Sequence, residues 1–401
     1  MTSEWHEVPL RELVGYISKG IAPSYAEEAS ESTIRVLNQK CNRNFRISYG
    51  DSRLHDTLKK KVPPERYVKP DDILINSTGA GTAGRIAQIE DVPSATTIDG
   101  HMILIRSNGK VTQKFLGYAL KAHQWEVLQL DEGSTGQTEL NRDRLLDEIM
   151  INYPVSLDEQ NAIVGTLESI DRKLIVNEQL NDNLEQQAQS YFQELFVDNA
   201  DPEWTTGTIS DLGAVVGGST PSKAKPEYYT ESGIAWITPK DLSNNKSKFV
   251  SHGENDITEL GLRNSSASIM PEGTVLFSSR APIGYIAIAA GEVTTNQGFK
   301  SVVPKPEIGT PFVYFFLKNT LPVIEGMASG STFKEVSGST MKNVPAVIPD
   351  AETLAKFSDF CAPIFAQQRI LEEQNQSLAT LRDNLLPKLM SGEIDVSAVQ
   401  L

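Results

Sequence analysis

The chain is written twice. With its second half set under its first at an offset near 200, "WHEVPLREL" (5–13) falls over "WTTGTISDL" (204–212), and "IRVLNQK" (34–40) over "IAWITPK" (234–240). "KPDDILINS" (69–77) matches "MPEGTVLFSS" with a one-residue slip, and "GRIA" (84–87) matches "GYIA" (284–287). "FLGYALK" (115–121) lies over "FVYFFLK" (312–318), and Gly-Ser-Thr at 133–135 over Gly-Ser-Thr at 330–332. The offset drifts by a few residues, as small loop insertions produce. Any fold proposed for this chain must therefore be two copies of one unit.

Each copy has two parts. The first, about 150 residues, holds short alternating runs such as "DILINS", "HMILIRS", "TVLFSS" and "YIAIA", punctuated by Gly and Pro, and is expected to be mostly β with short helices. The second is one long helix. In the first copy it opens at Ser156 and Glu159, a capping-box spacing, and carries a seam at Ile163, Leu167, Ile170, Leu174, Asn177, Asn181, Leu184, Ala188, Tyr191 and Leu195. In the second copy Asp350 is the expected cap, followed by Phe357, Phe360, Ile364, Gln367, Leu371, Gln374, Leu378, Leu381 and Leu385. Both seams turn polar at the middle, and two such stripes in one chain most simply bury each other. A helix of about 40 residues is roughly 60 Å long, so the expected picture is a rod with a globular head at each end. The fold class is α+β: two tandem domains, mostly β with short helices and related by an internal pseudo-twofold, separated by two long helices that pack on each other. The expected boundaries are 1–153 for the first domain and 154–198 for the central helix, then 199–349 for the second domain, 350–392 for the C-terminal helix and 393–401 for the tail.

Catalytic motifs fail in context. Gly79, Gly81 and Gly84 spell G-x-G-x-x-G, the pattern of a dinucleotide loop, but the strand-like "RIAQI" and Pro93 follow where a helix is required. The second copy reads "SSRAPIG" there, so the glycines mark a turn. "VPPERY" (62–67) and "KPDDILIN" lack the partners that a methyltransferase or nuclease motif needs, and the five histidines have no ligand spacing. Two distant cysteines give no disulfide framework, and no apolar run reaches membrane-spanning length, so a cytoplasmic location is expected.

The net charge of -15 is unevenly spread. Residues 151–200 hold nine acids and only Arg172 and Lys173, which suits protein docking better than DNA. From Arg35 to Lys69, by contrast, ten basic residues face three acids, with Asn38, Gln39, Asn42 and Asn44 interleaved. Arg and Lys suit phosphates and guanine edges, and Asn and Gln suit adenine edges. The candidate DNA contacts are Arg35, Asn38, Gln39, Lys40, Arg43, Asn44, Arg46, Lys59, Lys60 and Lys61 in the first copy. In the second they are Lys223, Lys225, Lys240, Asn244, Lys246 and Arg280. The flanking strands agree between the copies while these stretches diverge, as suits two heads that read different things.

At this point the chain resembles the specificity subunits (HsdS) of type I restriction–modification systems. The resemblance spans essentially the whole sequence. It rests on the tandem organisation with "PVSLDEQNAIVGTLESIDRKLIVNEQL", "STPSKAKPEYYTESGIAWITPKDL", "GSTFKEVSGSTMKNVPAVIP" and "LRDNLLPKLMSGEIDV". It implies two target recognition domains, each reading one half of a split sequence in double-stranded DNA. It further implies that the two long helices pack as an antiparallel coiled coil that spaces the halves and docks two methyltransferase subunits, joined by restriction subunits. S-adenosylmethionine, ATP and Mg²⁺ are then expected on the partners and none on this chain, which would be prokaryotic and non-catalytic by itself. A reading from another class is a two-headed scaffold binding protein or glycan across a coiled-coil spacer.

Overall fold

The computed structural model describes residues 4–132, 139–330 and 334–396. Most of the two matching Gly-Ser-Thr stretches lies outside them. Two compact units form: Met1–Lys173 with Leu378–Leu401, and Leu174–Ser377.

In the first unit one sheet has the order Thr96–Ile98, Thr33–Leu37, Arg53–Asp56, Tyr25–Ala26. Its first pair is parallel and the others antiparallel. A second sheet, antiparallel throughout, runs Val14–Lys19, Met102–Ser107, Ile73–Asn76, Ile86–Gln88. Trp5–Pro9 pairs with Met150–Pro154. The central strands are apolar at successive positions because both faces are covered. Ile73, Ile75, Ile103 and Ile105 enter one core with α1 (Gln113–Ala122), while Leu74, Met102 and Leu104 enter the other. That is the two-residue period of a strand applied to two cores at once.

The second unit repeats the plan. Tyr229–Thr230, Asn255–Ile257, Ile234–Ile237 and Thr294–Thr295 form the mixed sheet, again with one parallel pair. Gly213–Gly217, Lys300–Pro304, Val275–Ser279 and Ile283–Ala289 form the other, extended by Phe249–Val250. Thr205–Thr208 pairs with Pro345–Ile348. The glycine loop connects antiparallel strands Ile73–Asn76 and Ile86–Gln88, with Gly79, Gly81 and Gly84 at φ of 121°, 68° and 83°. It is a turn.

Two long helices, α2 (Leu157–Gln193) and α4 (Ala351–Met390), each give one part to each unit. Their starts are fastened alike. Ser156 Oγ accepts the Glu159 N–H at 3.4 Å, and Trp5 Nε1 donates to the Glu159 carboxylate. Asp350 accepts the Thr353 N–H at 2.9 Å and the Trp204 Nε1–H at 2.9 Å.

Within each unit the two helices run antiparallel. In the first unit Ile163, Val164 and Leu167 share a core with Leu386, Leu389 and Met390, and Asp171 meets Arg382 at 3.1 Å. In the second, Asn177 donates to Asn375 Oδ1 at 2.9 Å, Gln368 donates to the Asn181 carbonyl, and the Tyr191 ring lies against Phe357. Along α2 the buried positions include Ile163, Leu167, Ile170 and Leu174, with Leu184 and Leu195 half-buried.

Along α4, Phe357, Ile364 and Leu371 are buried and Leu378 and Leu385 half-buried, but the positions between them differ from expectation. Phe360 and Leu381 are 39% and 47% exposed, and Gln367 and Gln374 also face outward. The inner face instead carries Cys361, Gln368, Asn375 and Arg382, one residue later in each heptad. Polar side chains occupy it because each has a partner there: Gln368 takes Lys248, Asn375 takes Asn177 and Arg382 takes Asp171. Buried polar groups need partners and each of these has one, while Phe360 keeps a contact at the rim, its ring 4.5 Å from that of Tyr191.

Candidate nucleic-acid interface

The basic stretch of the first unit does not form one patch. Asn38, Gln39 and Lys40 lie at the C-terminal end of strand Thr33–Leu37. Lys59, Lys60 and Lys61 follow Arg53–Asp56, which runs antiparallel to it, and so lie at the other end, about 16 Å along a five-residue strand.

Several candidates are occupied locally. Arg35 donates to Ser52 Oγ at 3.0 Å. Asn38 accepts the Lys40 N–H and donates to the Asp51 carbonyl, so its amide holds the turn. Lys60 donates to the Ala22 carbonyl at 2.8 Å, and Lys59 lies 3.9 Å from the Asp56 carboxylate.

Arg43 and Arg46 face each other across a two-residue hairpin whose turn is Asn44–Phe45, at φ of 53° and 61°. Asn tolerates that left-handed backbone and Phe does not, so Phe45 is held by its contacts. Its ring packs on the core, with Lys121 Nζ 5.0 Å from its centroid, and buried Asn42 ties the hairpin to Asn76 Oδ1 and the Arg85 carbonyl. The hairpin thus presents Arg43 and Asn44, both exposed, beside exposed Lys40.

In the second unit the structure gathers Lys223, Lys240 and Arg280 from three distant stretches around one cleft of about 470 Å³. Buried Trp236, its Nε1 donating to the Ser219 carbonyl at 3.0 Å, lines it with Thr220, Asn255, Asn296 and Gln297. Lys240 pairs with Glu254 at 2.6 Å and Arg280 approaches Glu335 at 3.6 Å. Lys225 and Lys246 lie outside this lining, over the rings of Tyr228 and Tyr285, and Asn244 is an exposed neighbour. Charge counting along the sequence passes over Asn255, Asn296 and Gln297, which are neutral and set among strands.

The cleft sits where strands Ile234–Ile237 and Thr294–Thr295 end, and the first unit ends its matching strands in the same way. Asp99 N–H donates to the Leu37 carbonyl at 2.9 Å, and Asn296 N–H to the Ile237 carbonyl at 3.0 Å. Ser77 N–H meets the His101 carbonyl and Ser279 N–H the Gly298 carbonyl, both at 2.7 Å. Position by position, Lys40 stands for Lys240, Thr78 for Arg280, Arg53 for Asn255 and Asp99 for Asn296. Burial raises the Asp99 carboxyl above its ordinary value despite the His101 N–H beside it.

Below these ends, each unit fastens itself to its helices through charge. Lys121 of α1 and Lys318 of α3 (Thr310–Met327) are counterparts in the repeat. Lys121 meets Asp171 at 3.2 Å, where Tyr118 and Arg382 also bind. Lys318 meets Glu185 at 2.5 Å, joined by Tyr314 and by Lys248, which is only 7% exposed. Burial pushes Glu185 up, but the two lysines outweigh it and hold the carboxyl below its usual range.

Among the described residues no cluster of His, Cys, Asp and Glu fits a metal ion, and no helix is long and apolar enough to cross a membrane.

The sequence profile of the "Type I restriction modification DNA specificity domain" matches residues 2–186 and again 202–381. The chain belongs to that family. The specificity subunit of type I restriction enzyme MjaIX from Methanocaldococcus jannaschii is 39% identical over 191 residues, which are 45% of this chain and 44% of that protein. The HindI specificity subunit of Haemophilus influenzae is 28% identical over 194 residues, 48% and 42% of the two chains. These matches thus span less than half the length of either specificity subunit. The fold is that of the S subunit crystal structure from M. genitalium, with a TM-score of 0.60, 18% identity and coverage of 97% and 96%.

Proposed function

We propose that this chain is the DNA-specificity subunit of a type I restriction–modification complex, with one half of a split target read by each unit. The observation that carries this reading is a duplicated scaffold with matching sheets and matching backbone bonds at the strand ends, bearing different side chains there. A frame held constant while its tips diverge is what two recognition heads for two unlike half-sites require. Phosphate contacts from residues such as Lys40, Arg43 and Lys223 would set register, and groups in the strand-end clefts would read bases.

The helices carry the acidic stretch 151–200, which repels phosphate and suits the docking of methyltransferase and restriction subunits. On this reading the chain has no turnover of its own and works in a prokaryotic cytoplasm. S-adenosylmethionine, ATP and Mg²⁺ then belong to the partner subunits. The test is an exchange of residues 1–150 with those of a relative, assembled with the same methyltransferase subunits and followed by sequencing of methylated sites. One half-site should be replaced and the other retained, and binding should weaken steeply with salt. Salt-independent binding to a protein or glycan, with no DNA sequence enriched, would replace this reading by that of a scaffold.

A further inference from the structure

The same turn closes the parallel strand in both units, and its first residue is an aspartate in one and the isosteric asparagine in the other. In the first unit the His101 N–H donates to Asp99 Oδ1 at 2.9 Å. In the second the Gly298 N–H donates to Asn296 Oδ1 at 2.8 Å. A backbone N–H can only donate, so the oxygen of the Asn296 amide is the atom it holds, and the orientation of that amide is settled. What remains is Oδ2 on Asp99, an acceptor, and Nδ2 on Asn296, a donor. Neither makes a hydrogen bond among the described residues. Asp99 is 3% exposed, a buried carboxylate with half its capacity unused, and Asn296 lines the cleft.

The placement of the two turns is also matched. Gly20 and Gly218 occupy equivalent positions beneath them, and a Cβ at either would stand 2.2 Å from the Asp99 carbonyl oxygen or 2.0 Å from that of Asn296. Each turn is therefore pressed onto bare backbone, which leaves it no room to settle differently.

We infer that Asp99 and Asn296 are paired specificity determinants of opposite hydrogen-bond polarity, the first selecting a base edge that donates and the second a base edge that accepts. This rests on the reading of the units as DNA-binding heads. In the major groove the donating edges are adenine N6 and cytosine N4, and the accepting edges are guanine O6 and N7, adenine N7 and thymine O4. The rest of the second cleft agrees. The Gln297 carbonyl takes the Thr220 hydroxyl, leaving its Nε2 outward beside Lys223 and Arg280, so the lining is rich in donors. In the first unit Gly100 and Thr78 stand where Gln297 and Arg280 do, so two of those donors are lost, while Lys40 and Arg53 place a cation where Lys240 and Asn255 stand.

The test exchanges the two side chains. Asp99→Asn and Asn296→Asp are isosteric, and both keep the oxygen that closes the turn. Each variant, assembled with its methyltransferase subunits, is given duplexes randomised at both half-sites, and the bound sequences are counted. Asp99→Asn should change preference at one position of one half-site by roughly tenfold to a hundredfold, and Asn296→Asp should do so in the other half-site only. Unchanged preferences at every position, or a loss spread evenly over all sequences, would overturn the assignment. Should a variant fail to assemble, the wild-type complex decides. Replacing guanine or adenine by its 7-deaza analogue, guanine by 2-aminopurine, which lacks O6, or thymine by an analogue lacking O4, must weaken binding at one position of the second half-site, and no effect from any of them at any position overturns the proposal. If the wild-type complex enriches no sequence at all, the DNA reading itself fails.

Discussion

Glu185→Gln removes the carboxylate that pairs directly with Lys248 and Lys318 in the second unit, leaving only the longer-range attraction of Glu372 for Lys248. Lys248 would keep Gln368 Oε1 at 2.6 Å and the face of Phe365 at 3.9 Å, but no nearby carboxylate in direct ion-pair contact. An uncompensated buried charge costs about 3–5 kcal/mol. The lower end applies here, because burial already draws the Lys248 ammonium down and the group can escape by losing its proton. About 3 kcal/mol corresponds to a change on the order of a hundredfold in an opening equilibrium. Hydrogen exchange at the amides of Lys248 and Phe249, which donate to Glu372 at 2.8 and 3.0 Å, should accelerate by that factor. The pH dependence has a defined sign. Glu185 titrates below its ordinary value in the folded chain, so its contribution is complete above the unfolded value and vanishes as pH falls through the folded one. The Gln variant should lack that acid limb. Acceleration under about fivefold, near 1 kcal/mol, with the acid limb intact, would refute the claim that this carboxylate neutralises a buried lysine.

Gly218→Ala should displace the turn at Asn296, because the new Cβ would meet backbone at 2.0 Å. Sequencing of methylated sites should then show blurred preference in one half-site, with the other unaffected. Cys361 lies wholly buried, and burial pushes its thiol up to about 12, so it should resist a thiol reagent at pH 8 until the chain is denatured. Leu174→Asp with Leu184→Asp should part the helices and abolish co-elution with methyltransferase subunits on size exclusion.

What the sequence made legible was whatever repeats or alternates. The strand "DILINS" and its match "TVLFSS" declared themselves because their apolar residues recur, and α2 did so through ten positions at helical spacing. On α4 the expected seam is one residue off the inner face, because Phe360 and Leu381 are more apolar than Gln368 and Arg382, which are the side chains turned inward. Hydrophobicity cannot announce that Gln368 will meet Lys248, a residue 120 positions away. The site was legible in part. Lys223, Lys240 and Arg280 were selected by charge, and folding brings them to one cleft. The run from Arg35 to Lys69 looked continuous only because sequence ignores that an antiparallel strand returns to the far end of its sheet. Neither Asp99 nor Asn296 stands out in the sequence, since neither lies in a charge run or on a periodic apolar face. Their importance lies in a backbone N–H two residues ahead, which composition does not record.

The division of α2 and α4 between the units also sets an order in time. The core of the first unit includes Leu386, Leu389 and Met390, with Ile394 and Val396 packed on it, and a Cβ on Gly392 would touch Trp5. During synthesis the segment that begins at Trp5 must therefore wait for the last residues of the chain. At about 5–20 residues per second, the stretch from Lys173 to Leu378 takes roughly 10–40 s to be made. The second unit, continuous from Leu174 to Ser377, is itself complete only at the end of that interval, because its core takes in Phe357, Cys361, Ile364 and Phe365 of α4. Both cores therefore wait for α4, and a ribosome that stalls before Ala351 leaves a nascent chain in which neither half has the helix that completes it.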